Sequence, residues 1–158
     1  MFYNLAMRIE IDQSGKLDFP GPSIFAFSNG ECGSIYVGHK VKLKVFNYYE
    51  KHPHYSKETM RKRIKVRFFV ACVSFLLTKL KNRKGKIVID NELDSYQDYL
   101  KELLIHRLQK LGFSIKQVSI DVDSVGKKSP ADFLAGEVRV GKRKPDIVVS
   151  FEDLIPLL

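Results

Sequence analysis

The feature that most restricts the fold of this chain is a long helical segment that has to be buried. Residues 56–80 contain neither Pro nor Gly, and their apolar content rises steadily towards the end of the segment. The first half is mostly basic, whereas residues 68–77, FFVACVSFLL, are apolar on almost every side of a helix. Such a helix needs neighbours all round, and its apolar part is about half as long as a membrane-spanning helix. We therefore predict a buried helix in a globular domain.

The segment before this helix alternates between apolar and polar residues, which predicts three β-strands. Residues 7–13 and 23–28 form the first two strands, and the turn dipeptide Asn29-Gly30 follows the second. A third strand is predicted within residues 33–49, where the alternation of apolar residues continues from Val41 to Val45. The short connections favour an antiparallel meander.

After the central helix the pattern switches repeatedly between strand and helix. The predicted elements are a strand at residues 86–91, a helix from 95 to 112, a strand at 113–122, a helix from 129 to about 141, a short last strand at 147–149 and an apolar tail at 151–158. Ser95 and Asp98 form a predicted capping box. Ser129 and Pro130 are typical of an N-cap and a first helical residue.

The order β-β-β-α-β-α-β-α predicts an α/β fold in which a mixed five-stranded sheet is covered by helices. A right-handed crossover places the fourth strand parallel to the first strand and beside it. The length of 158 residues suits one domain, and no internal repeat or linker divides residues 1–158. We therefore expect a single domain.

The charge of the chain favours anionic partners. Lys and Arg number 27, Asp and Glu number 18, and the formal net charge is +9. We therefore expect contacts with the phosphates of RNA or DNA. The two cysteines, Cys32 and Cys72, exclude a disulfide scaffold and a four-cysteine zinc site. The N-terminal sequence shows no secretory signal, so we expect a cytoplasmic protein that does not bind membranes.

Three aspartates are placed to meet at one edge of the predicted sheet. Asp12 ends the first strand, Asp90 ends the fourth strand, and Asp132 lies in the first turn of the last helix. Parallel strands have their carboxyl ends at the same edge, where open α/β sheets bind ligands. Converging carboxylates repel one another unless a cation or protons compensate, and hard oxygen ligands suit Mg²⁺ or Mn²⁺. Each aspartate also has a local alternative, which is to cap a turn or a helix.

Three short motifs resemble those of a known family. They are IDQSG at residues 11–15, VIDNE at 88–92 and DSVGKKSPADFLAG at 123–136. With the element order, they resemble a large family of uncharacterised, mobile-element-linked proteins in the ribonuclease H-like superfamily, which opens with Asp-Glu-Ser-Gly and closes with an Ala-Asp-Leu/Phe-x-Ala-Gly helix. The resemblance implies a ribonuclease H-like fold and metal-ligand roles for Asp12, Asp90 and Asp132.

The chain departs from that family in two places. Gln13 replaces the acidic residue that often follows the first aspartate, and the first long helix holds only Glu58, near its start. The identity of a fourth metal ligand is therefore open between Glu10, Glu92 and Asp123.

These observations lead to one leading function and two alternatives. The leading prediction is a divalent-metal-dependent nuclease that cleaves RNA or DNA phosphodiester bonds, with Asp12, Asp90 and Asp132 as catalytic carboxylates. The residues predicted to hold the phosphates of the substrate are all basic: Arg61, Lys62, Lys65, Lys142, Arg143 and Lys144. The first alternative is a catalytically inactive nucleic-acid-binding module of the same fold. The second is a structural or interaction protein that dimerises through an exposed strand edge or the apolar residues 154–158.

Three other motifs have a functional and a structural interpretation. Residues 52–54, His-Pro-His, form either a short metal-binding hairpin or a solvated loop. The tyrosines that flank the basic half-helix either stack on bases or cover the edge of the core; they are Tyr48, Tyr49 and Tyr55. The pair Pro145-Asp146 matches part of a restriction-type nuclease site, but no Glu-x-Lys follows it.

Overall fold

The computed structural model describes residues 7–51, 58–90, 93, 95–123, 125 and 129–158, and at residues 58–60 it describes the backbone. The elements, in chain order, are β1 (Arg8–Ser14), β2 (Ser23–Ser28), β3 (Cys32–Val37), α1 (His39–Glu50), α2 (Glu58–Leu77), β4 (Gly85–Asp90), α3 (Gln97–Lys110), β5 (Val118–Asp123), α4 (Pro130–Arg139), β6 (Ile147–Val149) and α5 (Phe151–Leu154). A 3-10 turn, Ile155–Leu157, follows α5. The fold is therefore α/β.

The strands form one mixed sheet with the order β5-β4-β1-β2-β3-β6. β2 is antiparallel to its neighbours β1 and β3. β1 and β4, β4 and β5, and β3 and β6 are parallel pairs. Every strand except β2 therefore runs in one direction, and the carboxyl ends of these strands lie at one edge, which we call the carboxyl edge.

The two faces of the sheet pack against different helices because side chains alternate along each strand. One face carries Ile9, Ile11 and Ile89 and belongs to the main core, which also contains residues of α1, α2, α3 and α5. The other face is covered by α4, and we call it the α4 face. Its smaller cluster consists of Ile24, Ala26, Leu134, Ala135 and Val138.

The buried helix that was predicted within residues 56–80 is α2. Its apolar half is enclosed by the main core, and several of its side chains expose none of their surface: Phe68, Ala71, Cys72, Val73 and Leu77. Among the described residues, no helix is both long enough and apolar enough to cross a membrane. The observed start of α2 at residue 58 is compatible with the prediction, and residues 56 and 57 lie outside the described ones.

The predicted continuation of the strand pattern from Val41 to Val45 is wrong, because these residues belong to α1. The buried residues of α1 are Lys42, Val45 and Tyr49, which are spaced by three and four positions as on one side of a helix. Leu43 is 50% exposed, although the strand pattern placed it on the same side as Val45. The apolar residues of this segment fit both the two-residue period of a strand and the 3.6-residue period of a helix. The helical arrangement is the one that packs Val45 and Tyr49 in the main core.

Two predicted boundaries and the strand number are also corrected. The N-cap of α3 is Tyr96, and no side chain caps this helix, so the predicted capping box of Ser95 and Asp98 is wrong. β5 begins at Val118 rather than at residue 113, because a turn closed by a hydrogen bond from the Gln117 N–H to the Ser114 carbonyl (3.0 Å) comes first. Within the described residues the sheet has six strands rather than the predicted five, since β6 pairs with β3.

Other predictions are confirmed. β4 lies beside β1 and parallel to it, as predicted. Ser129 is the N-cap of α4, where its hydroxyl accepts a hydrogen bond from the Ala131 N–H (3.2 Å), and Pro130 is the first helical residue. The apolar tail is anchored in the protein, because its residues Leu154 and Leu157 are buried.

Candidate functional site

Three aspartates from neighbouring parallel strands stand in a row at the carboxyl edge. Ile11 of β1 pairs with Ile89 of β4, so the residues that follow them, Asp12 and Asp90, are also neighbours. Asp90 in turn pairs with Asp123, the last residue of β5. Since Ile11 and Ile89 face the main core, the alternation of side chains directs all three aspartates to the α4 face.

The first turn of α4 brings a fourth carboxylate to this row. Ser129 and Pro130 begin the helix, and its buried side is formed by Ala131, Leu134, Ala135 and Val138. This side packs on β1 and β2 across the α4 face. Asp132 lies in the first turn, and its carboxyl group forms a hydrogen bond with the carboxyl group of Asp12. Two carboxyl groups that are far apart in sequence therefore touch.

Asp12 is the most buried member of the site, with 4% of its surface exposed. Burial raises the pKa of Asp12 to about 8, and the hydrogen bond that the protonated Asp12 donates to Asp132 and the charges of Asp90 and Asp132 act in the same direction. The Gln13 N–H donates to Oδ1 of Asp12 (2.8 Å) and lowers this pKa in part. At neutral pH Asp12 is therefore largely protonated, and its proton lies in the hydrogen bond to Asp132.

Asp90 and Asp123 complete the acidic row from the side of β4 and β5. Asp90 is half-buried, and its Oδ1 accepts a hydrogen bond from the Val125 N–H (3.0 Å), just after β5. Asp123 is exposed at the end of β5. Of the residues left open as a fourth ligand, Asp123 thus stands next to Asp90, whereas Glu92 lies outside the described residues.

Glu10 has a different role from the aspartates, although it lies on the same side of β1 as Asp12. Its Oε2 accepts a hydrogen bond from the Ser129 hydroxyl (2.5 Å), and its Oε1 accepts one from Arg8 Nε (2.9 Å). Glu10 therefore joins β1 to the start of α4. The backbone of Glu58 begins α2, and the side chain of Glu58 lies outside the described part of the structure.

The donor set of the row suits a hard divalent cation, because it consists of carboxylate oxygens. In the part of the chain that the structure describes, no group of three His, Cys, Asp or Glu side chains is arranged to hold a metal ion. Asp12 and Asp132 are neighbours, and the proton on Asp12 relieves the repulsion between them. A divalent cation would relieve the same repulsion and would compete with that proton.

The basic residues predicted on α2 lie near the carboxyl edge. Lys65 Nζ forms an ion pair with Asp18 Oδ1 (3.2 Å), in the connection between β1 and β2. Arg61 and Lys62 line a groove of about 760 Å³ together with Asp18, Phe46, Glu50, Ile64 and Lys65. This groove is on the main-core side of the sheet, opposite α4.

The second predicted basic group is not brought to the aspartates. Lys142, Arg143 and Lys144 are exposed and follow the end of α4. A helix of ten residues spans about 15 Å, which carries these residues away from Asp132 towards the amino ends of the parallel strands. There β6 begins, and Asp146 accepts a hydrogen bond from the Ser34 N–H (2.8 Å). The side chain of Asp146 thus joins β6 to β3, which is a structural role.

Lys42 is a buried charged residue, 2% exposed, that the sequence pattern did not predict. Its ammonium group donates hydrogen bonds to the carbonyl oxygens of Lys16 (2.9 Å), Phe19 (2.7 Å) and Gly21 (2.9 Å). Burial lowers the pKa of Lys42. A helical reading of the spacing of Lys42, Val45 and Tyr49 would have placed this lysine on the buried side of α1.

The remaining sequence motifs have mixed outcomes. Tyr49 is buried, and the ring of Tyr48 contacts the rings of Tyr49 and Phe151. These contacts support the interpretation that Tyr48 and Tyr49 cover the edge of the core. The His-Pro-His motif at residues 52–54 and Tyr55 lie outside the described residues.

Comparison with known proteins does not identify a family. No protein-family model matches the sequence, and no curated protein matches it. The function is therefore argued from the geometry.

Proposed function

We propose that this protein is a divalent-metal-dependent nuclease of the ribonuclease H-like type, which cleaves phosphodiester bonds of RNA or DNA. Asp12, Asp90 and Asp132 are its catalytic, metal-binding carboxylates in this proposal, and Mg²⁺ or Mn²⁺ is the cofactor. The observation that carries it is the contact between Asp12 and Asp132 beside Asp90, with the pKa of Asp12 raised to about 8. A buried acid whose pKa is strongly raised by burial and by neighbouring carboxylates is typical of functional sites.

The fold supports the same function. A three-stranded meander, β1 to β3, is followed by two parallel crossovers, which place β4 beside β1 and β5 beside β4. This arrangement agrees with the element order on which the resemblance to the ribonuclease H-like superfamily rests, and α1 and β6 are additions to it. The acidic row lies at the carboxyl edge, which is the usual ligand side of open α/β sheets.

Each group of residues has a defined task in this proposal. Asp12 and Asp132 would hold the cation in place of the proton on Asp12, and Asp90 would add a further oxygen ligand from β4. When bound, a divalent cation supplies a Lewis acid and lowers the pKa of water near the phosphorus atom. Arg61, Lys62 and Lys65 hold neighbouring phosphates of the strand at the carboxyl edge.

Cleavage of labelled RNA and DNA in Mg²⁺ or Mn²⁺ tests the proposal. Asp12→Asn and Asp132→Asn should each reduce cleavage by about a hundredfold or more, since a catalytic cation contributes several kcal/mol. Asp98→Asn is the matched control, because it removes an exposed carboxylate from α3. Equal cleavage by Asp12→Asn and the wild type, at equal purity, would show that these carboxylates are not catalytic.

A second function, nucleic-acid binding without cleavage, is favoured by two observations. No three-ligand metal group is present among the described residues, and Gln13 stands where the family often has an acidic residue. Binding that depends steeply on salt, with no cleavage in any divalent cation, would select this function. The prediction of dimerisation through residues 154–158 is less well supported, since Leu154 and Leu157 are buried within the chain.

A further inference from the structure

An aromatic side chain is displayed to solvent beside the basic groove. Phe19 lies in the connection between β1 and β2, at the carboxyl edge, and 55% of its surface is exposed. The ammonium group of Lys16 lies 5.1 Å from the centre of the Phe19 ring. An exposed aromatic ring next to a cation combines the two contacts that a nucleotide requires, which are stacking and charge.

Hydrogen bonds from the buried Lys42 fix the backbone of the loop that carries Phe19. Lys42 donates its three hydrogen bonds to the carbonyl oxygens of Lys16, Phe19 and Gly21, so it holds the backbone at Phe19 and on both sides of it. All three N–H groups of this buried ammonium are thereby satisfied. A second restraint comes from Asp18, which pairs with Lys65 of α2 (3.2 Å). The ring of Phe19 is therefore presented on a preorganised backbone.

The surroundings of the loop suit a polyanion with apolar faces. The groove next to the loop is lined by Arg61, Lys62 and Lys65, and its apolar lining is Phe46 and Ile64. Two acidic residues also line it: Asp18 and Glu50. Asp18 is neutralised by its ion pair with Lys65. Together with Lys16, the cations outnumber the acids, as a path for phosphates requires.

We propose that Phe19 is a stacking platform for an unpaired base of a single-stranded nucleic acid, whose backbone follows Lys16, Lys65 and the groove on α2. A single strand is selected over a duplex because only unpaired bases offer a free face to the ring. The choice of nucleic acid rests on the proposed nuclease function, since the loop and the acidic row share the carboxyl edge.

Fluorescence anisotropy with labelled oligonucleotides in EDTA tests this inference without cleavage. The wild type should bind a single-stranded oligothymidylate more tightly than a duplex. Phe19→Ala should weaken binding of the single strand about tenfold, the effect of losing one stacked base. Phe19→Tyr should restore it. Ile115→Ala is the matched control, because Ile115 is similarly exposed (51%) but precedes β5, at the opposite edge of the sheet.

An abasic strand of the same length separates stacking from charge. Phe19→Ala should not weaken its binding, because phosphates alone are then recognised. The inference is overturned if Phe19→Ala binds the oligothymidylate as the wild type does, if the duplex is preferred, or if Phe19 is required only for binding to phosphatidylserine vesicles. Phe19-dependent binding without cleavage in any metal would uphold the inference and refute the nuclease function.

Discussion

The acid pair at the carboxyl edge makes a quantitative prediction about stability, which the variant Asp12→Asn isolates. Asparagine has the shape of a protonated aspartate, so it can accept from the Gln13 N–H and donate to Asp132. Unlike Asp12, it does not titrate. The difference in the free energy of unfolding between the wild type and Asp12→Asn therefore reports the ionisation of Asp12 alone.

The sign of this pH dependence follows from the direction of the pKa shift. Folding raises the pKa of Asp12 from 3.8 to about 8, so between these values the folded state binds a proton that the unfolded state has released. Stability is then lost as the pH rises, at about 1.4 kcal/mol per pH unit. Between pH 5 and pH 7 the wild type should lose about 2.7 kcal/mol relative to Asp12→Asn.

Urea unfolding followed by circular dichroism at pH 5, 6, 7 and 8, in EDTA, measures this difference. Equal m-values are required, so that midpoints translate into free energies. Asp98→Asn, which removes an exposed carboxylate on α3, should keep the slope of the wild type. If the wild type and Asp12→Asn show parallel pH curves, Asp12 is ionised in the folded protein at neutral pH, and the argument from a shared proton fails.

Added Mn²⁺ extends the same experiment to metal binding. A cation that replaces the proton should stabilise the wild type at pH 7 by about 2.7 kcal/mol at a hundredfold excess over its Kd. Asp12→Asn should gain much less, because it lacks the carboxylate. Equal stabilisation of both proteins would place the cation elsewhere.

Two further variants test the supports of the site by the shift of the urea midpoint. Lys42→Met removes the donor for three loop carbonyl oxygens and should cost about 2–4 kcal/mol; an unchanged midpoint would mean that water satisfies them. Leu134→Ala opens a cavity between α4 and the sheet and should cost about 2–5 kcal/mol. It should also reduce the pH slope assigned to Asp12, and an unaltered slope would show that the acid pair does not need this packing.

The long-range features of the fold were predictable where a topological rule applied. The crossover rule makes β4 parallel to β1, the simplest arrangement puts the two strands side by side, and this places Asp12 next to Asp90. The N-cap signal of Ser129 and Pro130 is local, and it fixes where α4 begins and hence which turn carries Asp132. The proximity of Asp12, Asp90 and Asp132 could therefore be predicted from their positions in the sequence.

Other features depend on tertiary contacts that no local pattern contains. The period of residues 41–45 is ambiguous, and it was decided by the main core, which receives Val45 and Tyr49. The role of Lys42 depends on carbonyl oxygens from a different part of the chain. The basic residues 142–144 were assigned to the site by charge alone, but the length of α4 moves them to the other edge of the sheet.

The two readings of Asp132 that the sequence left open, a capping residue or a site residue, are connected through Ser129. The Ser129 hydroxyl accepts from the Ala131 N–H at the start of α4 and donates to Glu10 of β1, which is 119 residues away. Glu10 is two residues before Asp12, on the same side of the strand. The hydrogen bonds of the cap therefore also set the position of α4 along β1. Because Asp132 is three residues after Ser129, this position brings its carboxyl group to Asp12, so the cap of α4 also positions the acid pair.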